Sequence, residues 1–323
     1  MITKTKIKIS ALLMAVLICS LAFVSTVNAK TTEIDDKMPS GLKEWIKDNQ
    51  KTDEERLLME KKTKEWMQEH TLSVTSTKTY RYKSGELIVE ETYSGKEFEE
   101  KFKTDEITKE MKIKNPSKEF RSINSNGQSV LLNEGDEVTT TNTVMIVMTE
   151  QSSPFEWWNI GYEYPQYSWY QIDNGGTVLY EKADPINIAW ENTYRSTVAT
   201  RIINQGWTDT VIEWAEYVSD PNNGWIEGDG VATSTARLTG GFHVRLFVLS
   251  NGDIVGDAHE DSWPLPEHEV IGLENAEDLI AGFFDNDMSN WWVLYDQEEL
   301  DNEVTSPFSN GEATCIWRVG SQS

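Results

Sequence analysis

The sequence predicts an α+β protein with an N-terminal signal peptide, and three observations lead to this prediction. An apolar run follows a lysine-rich start, as in secretory signals. Helical signals and alternating, strand-like stretches both occur in the rest of the chain. The charge balance changes sharply near residue 130, which indicates a boundary between a small helix-plus-meander N-terminal module and a mixed-sheet C-terminal domain with flanking helices.

Residues 1–29 have the three parts of a cleavable signal peptide. Positive charges at Lys4, Lys6 and Lys8 precede an apolar run over residues 9–24, and Val27-Asn28-Ala29 resembles a cleavage site. The alternatives are a membrane anchor and a lipoprotein at Cys19. The run is shorter than a bilayer span of about 20 residues, and Ile18 precedes Cys19 where a lipobox needs a very small residue. We expect cleavage near Ala29, a secreted or extracytoplasmic location, and no transmembrane segment in the mature chain.

Charge divides the remaining chain into two parts. Residues 30–130 carry 20 Lys and Arg against 21 Asp and Glu, whereas residues 131–323 carry 6 against 33. Tryptophan divides in the same way, because 11 of the 13 lie in the second part. We therefore predict a charged helix-plus-β module over 30–130 and an acidic, Trp-rich α+β domain over 131–323. The acidic domain excludes nucleic acid as a partner, because phosphate binding requires a positive field.

The first module is expected to start with helix and continue as a β-meander. Residues 42–70 have a helical pattern, and Thr52 followed by Glu55 is a capping-box signature that predicts two helices meeting near Lys51. Residues 72–147 show strand-like alternation, with a turn at Ser84-Gly85. No residue combination in this module indicates chemistry.

The second module contains alternating strand and helix patterns. Helices are predicted at residues 196–205 and 275–284, and the strands at 186–190, 210–218, 230–238, 242–249, 253–260, 291–295 and 315–319. Cys315 is the only cysteine outside the signal, so we expect a buried, small apolar side chain rather than a disulfide.

The hairpin around Ser250-Asn251-Gly252 carries the sharpest local prediction. A three-residue turn with Gly252 in the left-handed region pairs Leu249 with Asp253. His243 then faces His259, Arg245 faces Asp257, and Gly241 faces Asp261. The opposite face carries the apolar side chains Val244, Leu246, Val248, Ile254 and Ala258. A two-residue turn would mix apolar and charged groups on both faces, so the first register is preferred.

This register places His243, Arg245, Asp257, His259 and Asp261 on one patch. The two histidines and an aspartate could ligate a divalent metal ion. Arg245, oriented by Asp257, could instead hold an anionic or sugar ligand, and the histidine pair could perform acid–base chemistry. The remaining alternative is a solvated sheet face whose Arg–Asp pair adds stability.

Several short motifs resemble the LssY C-terminal domain family over residues 184–261. They are Asp184-Pro185-Ile186-Asn187, Gln205-Gly206-Trp207, the run from Gly241 to Leu246, and Gly256-Asp257-Ala258 followed by Asp261. Members of that family often accompany membrane-bound phosphatase-like domains. The resemblance implies no activity for the domain itself, but it adds weight to His243, Arg245 and Asp257. This chain departs from the family pattern in its acidic character and its N-terminal module.

Residues 285–296 are similar to a calcium-binding loop, with Asp285, Asp287 and Asp296 at ligand positions. Asn290 stands where such loops have glycine, and the strand-like residues 291–295 favour a helix-to-strand turn instead. The three aspartates are therefore secondary metal candidates.

Aromatic residues crowd residues 155–170. If exposed in a row, these rings would form a platform for sugar stacking; if buried, they would form core and a domain interface. We expect burial.

The sequence therefore predicts a secreted protein that binds an extracellular ligand or a cell-envelope component through the His/Arg/Asp patch. The first alternative is an extracellular hydrolase that uses the same patch, with or without a divalent metal. The absence of a nucleophile elbow, a phosphate loop and a zinc-protease helix argues against it. The second alternative is a structural envelope protein in which the patch is inert.

Overall fold

The computed structural model describes most of the chain from residue 37 onward. The described residues are 37–114, 120–123, 129–152, 154–173, 176–210, 215–229, 231–233, 241–261 and 270–320. The predicted signal peptide at residues 1–29 lies outside them. In the described part of the chain, no helix is long and apolar enough to cross a membrane.

Six helices occur along the described residues. They are α1 (Ser40–Asn49), α2 (Asp53–His70), α3 (Lys96–Phe102), α4 (Trp157–Ile160), α5 (Arg195–Ile203) and α6 (Glu274–Asp285). The capping-box prediction is confirmed: the Thr52 amide donates to Glu55 Oε2 at 2.8 Å, and the Glu55 amide donates to Thr52 Oγ1 at 3.3 Å. These bonds satisfy amides at the start of α2, so the helical region is divided as expected.

The first half of the chain supplies four strands of one eight-stranded sheet. Its early strands are β1 (Thr71–Lys83), β2 (Glu86–Ser94), β3 (Glu106–Lys114) and β6 (Glu137–Glu150), while β4 (Phe120–Ile123) and β5 (Ser129–Leu132) form a separate pair. Strands β1, β2 and β3 form the predicted antiparallel meander. Ser84 and Gly85 connect β1 to β2 with φ of 57° and 76°, as a two-residue hairpin turn requires.

The same sheet continues into the acidic part of the chain. Its remaining strands are β7 (Tyr167–Asp173), β8 (Val178–Pro185), β11 (Glu216–Asp220) and β12 (Gly224–Glu227), in the spatial order β12-β11-β7-β8-β6-β1-β2-β3. Strand β6, which follows residue 130, pairs with both β1 and β8. The sheet therefore joins strands from both sides of residue 130, and the described residues belong to one compact unit that begins at Lys37. A division into two modules stays a prediction from composition.

A second eight-stranded sheet carries the predicted hairpin. Its strands are β9 (Ile188–Glu191), β10 (Thr208–Thr210), β13 (Val231–Thr233), β14 (Gly241–Val248), β15 (Ile254–Asp261), β16 (Val270–Gly272), β17 (Trp291–Glu299) and β20 (Glu312–Arg318). Two short strands, β18 (Val304–Thr305) and β19 (Phe308–Ser309), pair with each other. Because β20 runs parallel to β9 and the other pairs are antiparallel, the sheet is mixed. The α+β prediction is confirmed.

Both faces of the second sheet are covered. Helices α5 and α6 bury Val198, Ile202, Ile280 and Phe284 against one face, where the hairpin contributes Val244, Leu246, Ile254 and Ala258. The opposite face contributes Phe247 and Val255 to a core shared with α1, α2 and the aromatic segment. The apolar hairpin face is thus as predicted, except that Val248 is 37% exposed. Cys315 is buried and free, in agreement with the expectation.

Candidate functional site

The turn between β14 and β15 has the predicted geometry. The Leu249 amide donates to the Asp253 carbonyl at 2.8 Å, and the Gly252 amide donates to the Leu249 carbonyl at 2.9 Å. Gly252 has a φ of 98°, a region that glycine enters without steric cost. His243 consequently pairs with His259, Arg245 with Asp257, and Gly241 with Asp261. The predicted register is confirmed over the whole hairpin.

Three of the predicted residues bring their ligand atoms together at the end of this hairpin. His243 Nδ1 lies 3.1 Å from Asp261 Oδ2, and His259 Nε2 lies 3.6 Å from Asp261 Oδ1. The two imidazole rings are 3.7 Å apart between centroids. One ligand atom from each residue lies within 4.8 Å of the other two. The group is therefore a compact set of two nitrogen donors and one carboxylate.

The spacing of this group fits a small transition-metal ion. With metal–ligand bonds of about 2.0–2.1 Å, tetrahedral geometry places neighbouring ligand atoms about 3.3 Å apart. The two His–Asp distances, 3.1 and 3.6 Å, are close to that value, and each histidine faces a different oxygen of the Asp261 carboxylate. Imidazole nitrogens suit zinc, iron, nickel and copper, whereas calcium and magnesium select oxygen ligands. The donor set is therefore appropriate for a transition metal.

The group lies at the boundary between interior and solvent. The side chain of His259 is 3% exposed, while His243 and Asp261 are 15% and 12% exposed. His243 and His259 are cross-strand partners at the same level of the hairpin, and Asp261 lies one pair-step nearer its open end, opposite Gly241. A bound ion would have access from solvent on one side only.

Arg245 and Asp257, the next pair along the hairpin, are placed differently from the prediction. Both are buried, at 5% and 1% exposure, so a solvated sheet face is excluded here. The Arg245 guanidinium forms its ion pair with Glu216 of β11, in the other sheet. Asp257 Oδ1 accepts a hydrogen bond from the Arg245 main-chain amide at 3.3 Å. Arg245 therefore bridges the two sheets. Its guanidinium faces Glu216 rather than an external anion.

Glu216 also belongs to this region, although no sequence pattern indicated it as a site residue. It is 3% exposed, and its Oε2 accepts a hydrogen bond from Ser168 Oγ at 2.7 Å while Oε1 pairs with Arg245. Its carboxylate also lies with Asp184 and Asp257 in a second group whose oxygens fall within 4.8 Å. Burial and the neighbouring Glu216 charge raise the pKa of Asp257 well above its usual range, while Arg245 acts in the opposite direction. Arg245 therefore compensates the charge of Glu216, and the raised pKa of Asp257 favours the protonated form of that second carboxyl group.

The secondary metal candidates are spread over a helix end, a turn and a strand: Asp285 ends α6, Asp287 lies in the turn after it, and Asp296 lies in β17. Asp287 accepts hydrogen bonds from Ser289 Oγ and Asn290 Nδ2, both at 2.9 Å. Asp296 Oδ1 accepts from Asn310 Nδ2 at 3.0 Å. Among the described residues, Asp285, Asp287 and Asp296 are not part of a group of three whose ligand atoms converge within 4.8 Å. Asp287 stabilises the turn after α6 instead.

The aromatic cluster is buried, as expected. Its most enclosed members, between 0% and 8% exposed, are Phe155, Trp157, Tyr162, Tyr164, Tyr167 and Trp169. They pack with Leu42, Ile46 and Met59 of the N-terminal helices. These rings form core between the helices and the sheets, so they do not offer a sugar-stacking surface.

No protein family matches this chain, and no curated protein or solved structure is significantly similar to it. The resemblance to the LssY C-terminal domain stays a prediction, and the site has to be interpreted from its own chemistry.

Proposed function

We propose that this chain is an exported ligand-binding protein whose site is a divalent transition-metal centre formed by His243, His259 and Asp261. The observation that carries the proposal is the convergence of three ligand atoms within 4.8 Å at the open end of one hairpin. Two imidazoles and one carboxylate on adjacent strands form a donor set that zinc-type ions prefer. Rigid strands also hold such ligands more precisely than loops do.

The external ligand of this centre is expected to bind the metal directly. Three protein ligands leave at least one coordination position for water or another donor. The partial exposure of His243 and Asp261 gives that position access to solvent. Arg245 contributes structure rather than recognition, because its guanidinium is paired with Glu216. The natural ligand is then an extracellular molecule or envelope component that offers an oxygen or nitrogen donor.

The proposed location is outside the cytoplasm. It rests on the signal-like residues 1–29, in which a lysine-rich start, an apolar run and Val27-Asn28-Ala29 occur in the order of a cleavable signal. Cleavage is tested by N-terminal sequencing of the protein recovered from culture medium or envelope. A new N-terminus at Lys30 supports export, and an intact Met1 contradicts it.

The metal proposal is tested by titrating purified, metal-stripped protein with Zn²⁺ in a calorimeter. We expect one equivalent to bind, and we expect His243→Ala and His259→Ala each to weaken binding at least about 100-fold, because a lost ligand leaves two donors. Asp287→Asn is the matched control, since it removes a carboxylate from the calcium-like loop. Loss of binding in the control alone, or unchanged binding in both histidine variants, would contradict the proposed site.

A metal-dependent hydrolase is the second candidate. The observation that favours it is the combination of three protein ligands with a solvent-accessible side, which is typical of catalytic zinc sites. A bound metal would supply an activated water at neutral pH. Turnover of ester or phosphoester substrates by the zinc-loaded protein, lost in His243→Ala, would establish this function. Metal binding without turnover supports the binding protein. An inert structural envelope protein predicts that the alanine variants neither lose metal nor change any phenotype.

A further inference from the structure

Asn187 connects the site hairpin to the neighbouring strand through its side chain. Asn187 Nδ2 donates to the Ala258 carbonyl at 2.9 Å, and the Ala258 amide donates to Asn187 Oδ1 at 2.8 Å. The side chain is 1% exposed. The Asn187 amide also donates to the Gly256 carbonyl at 3.1 Å. One buried side-chain amide thus makes the pair of hydrogen bonds that a strand would normally provide.

The Asn187 side chain takes the place of a neighbouring strand because of the path of the chain before β9. Strand β9 pairs with β15 only as far as Gly256, opposite Ile188. Two residues before Ile188, the Ile186 amide donates to the Gln166 carbonyl, because the chain has come from β8 in the other sheet. On the same edge of β15, strand β16 resumes pairing at Glu260. Ala258 lies between the two strands, and Asn187 occupies that gap.

We infer that Asn187 is a positioning residue for the metal centre, an inference that rests on the proposed function. Ala258 lies between Asp257 and His259, so the two Asn187 hydrogen bonds hold the peptide planes on either side of Ala258, and the second of these planes leads directly into His259. His259 is followed by Asp261 on the same face of the strand. Metal sites depend on ligand distances within about 0.2 Å. A loosened Ala258 would let the strand end that carries two ligands move relative to His243.

The inference is tested by zinc titration of the full exported chain carrying Asn187→Ala beside a matched control. The control is Asn302→Ala, because Asn302 is equally buried and donates to the main-chain carbonyls of Gln166 and Ile186, at 2.6 and 2.8 Å, neither of which belongs to β15. Both variants should lower the unfolding midpoint of the metal-free protein. Only Asn187→Ala should lower zinc affinity, by about 10- to 100-fold as for other residues that orient metal ligands.

A second variant separates the hydrogen-bond geometry from side-chain volume. Asn187→Asp has the same shape and still accepts from the Ala258 amide, but it places a carboxylate oxygen opposite the Ala258 carbonyl. We expect it to weaken zinc binding at least as much as the alanine variant. Zinc affinity equal to wild type in both Asn187 variants, or an equal loss in Asn302→Ala, would overturn the positioning role.

Hydrogen exchange on the wild-type protein tests the same coupling without any variant. If Asn187 and the metal act on one element, zinc must slow exchange of the Ala258 amide, because coupling between two sites is reciprocal. The Thr314 amide, which donates to the Asn187 main-chain carbonyl at 3.0 Å, is the internal reference and should change less. Equal changes at both amides would overturn the inference while leaving the metal centre intact. A wild-type protein that binds no zinc would overturn both.

Discussion

Glu191, at the end of β9, makes a pH-dependent contribution to the stability of the protein, and one substitution should remove that contribution. Its side chain is buried at 6% exposure and accepts a hydrogen bond from Tyr164 Oη. Burial, together with a hydrogen bond to Asp253 and the charge of that group, raises the pKa of Glu191 to about 9. Glu163 lies close enough to add to this effect. Glu191 is therefore protonated in the folded protein at neutral pH.

The sign and size of the effect follow from proton linkage. In the unfolded chain the pKa of Glu191 returns to its ordinary value near 4.5. Between the two values the folded state binds a proton that the unfolded state lacks, so stability falls as pH rises, by about 1.4 kcal/mol per pH unit. Proton uptake by Glu191 on folding therefore lowers the free energy of unfolding by about 3 kcal/mol at pH 7 and by about 5 kcal/mol at pH 8.5.

Glu191→Gln removes this titration while keeping the shape of the side chain. The amide nitrogen can donate to Asp253 and the amide oxygen can accept from Tyr164. We expect the stability difference between variant and wild type, measured by urea unfolding, to increase by about 4 kcal/mol from pH 5.5 to pH 8.5. Glu44→Gln, at an exposed position, is the control. A difference for Glu191→Gln that stays constant over this range would refute the argument.

Three further predictions concern the interior around the site. Gly256→Ala should cost about 1–3 kcal/mol by denaturant unfolding, because a Cβ there would lie 2.9 Å from the Arg245 carbonyl oxygen; an unchanged midpoint contradicts the packing. Glu216→Gln should cost about 3–5 kcal/mol, since the Arg245 charge would remain buried without its anion; a loss below about 1 kcal/mol argues against that ion pair. Burial raises the pKa of the Cys315 thiol, so a thiol reagent should label it only after unfolding; rapid labelling of folded protein contradicts its burial.

Much of the local structure could be predicted from the sequence, because it depends on neighbouring residues. The capping box at Thr52 needs only a side chain three residues away. The register of β14 and β15 follows from a three-residue turn with glycine in the left-handed region, together with alternating polar and apolar side chains. That register alone pairs His243 with His259.

The surroundings of the hairpin could not be predicted in this way. Alternation shows which side chains share a face, but it does not show what covers that face. Arg245 and Asp257 were expected on a patch open to a ligand or to solvent, and they lie against Glu216 of the other sheet. Glu216 is 29 positions from Arg245 in the sequence, and no local pattern marks such a pair.

The sequence by itself therefore determined the secondary structure around the site, the hairpin register and two of the three candidate ligands, His243 and His259, all of which depend on turn chemistry and period-two alternation. The structure selected Asp261 as the third ligand. Only the tertiary structure decided that Arg245 is a bridge between sheets and that Asn187 fills the gap beside Ala258. The Asn187 contact depends on the chain passing from one sheet to the other between β8 and β9, and the Arg245–Glu216 contact depends on a later passage between β12 and β13. Such changes of sheet bring distant residues into hydrogen-bond distance, and no property of the intervening sequence specifies which ones.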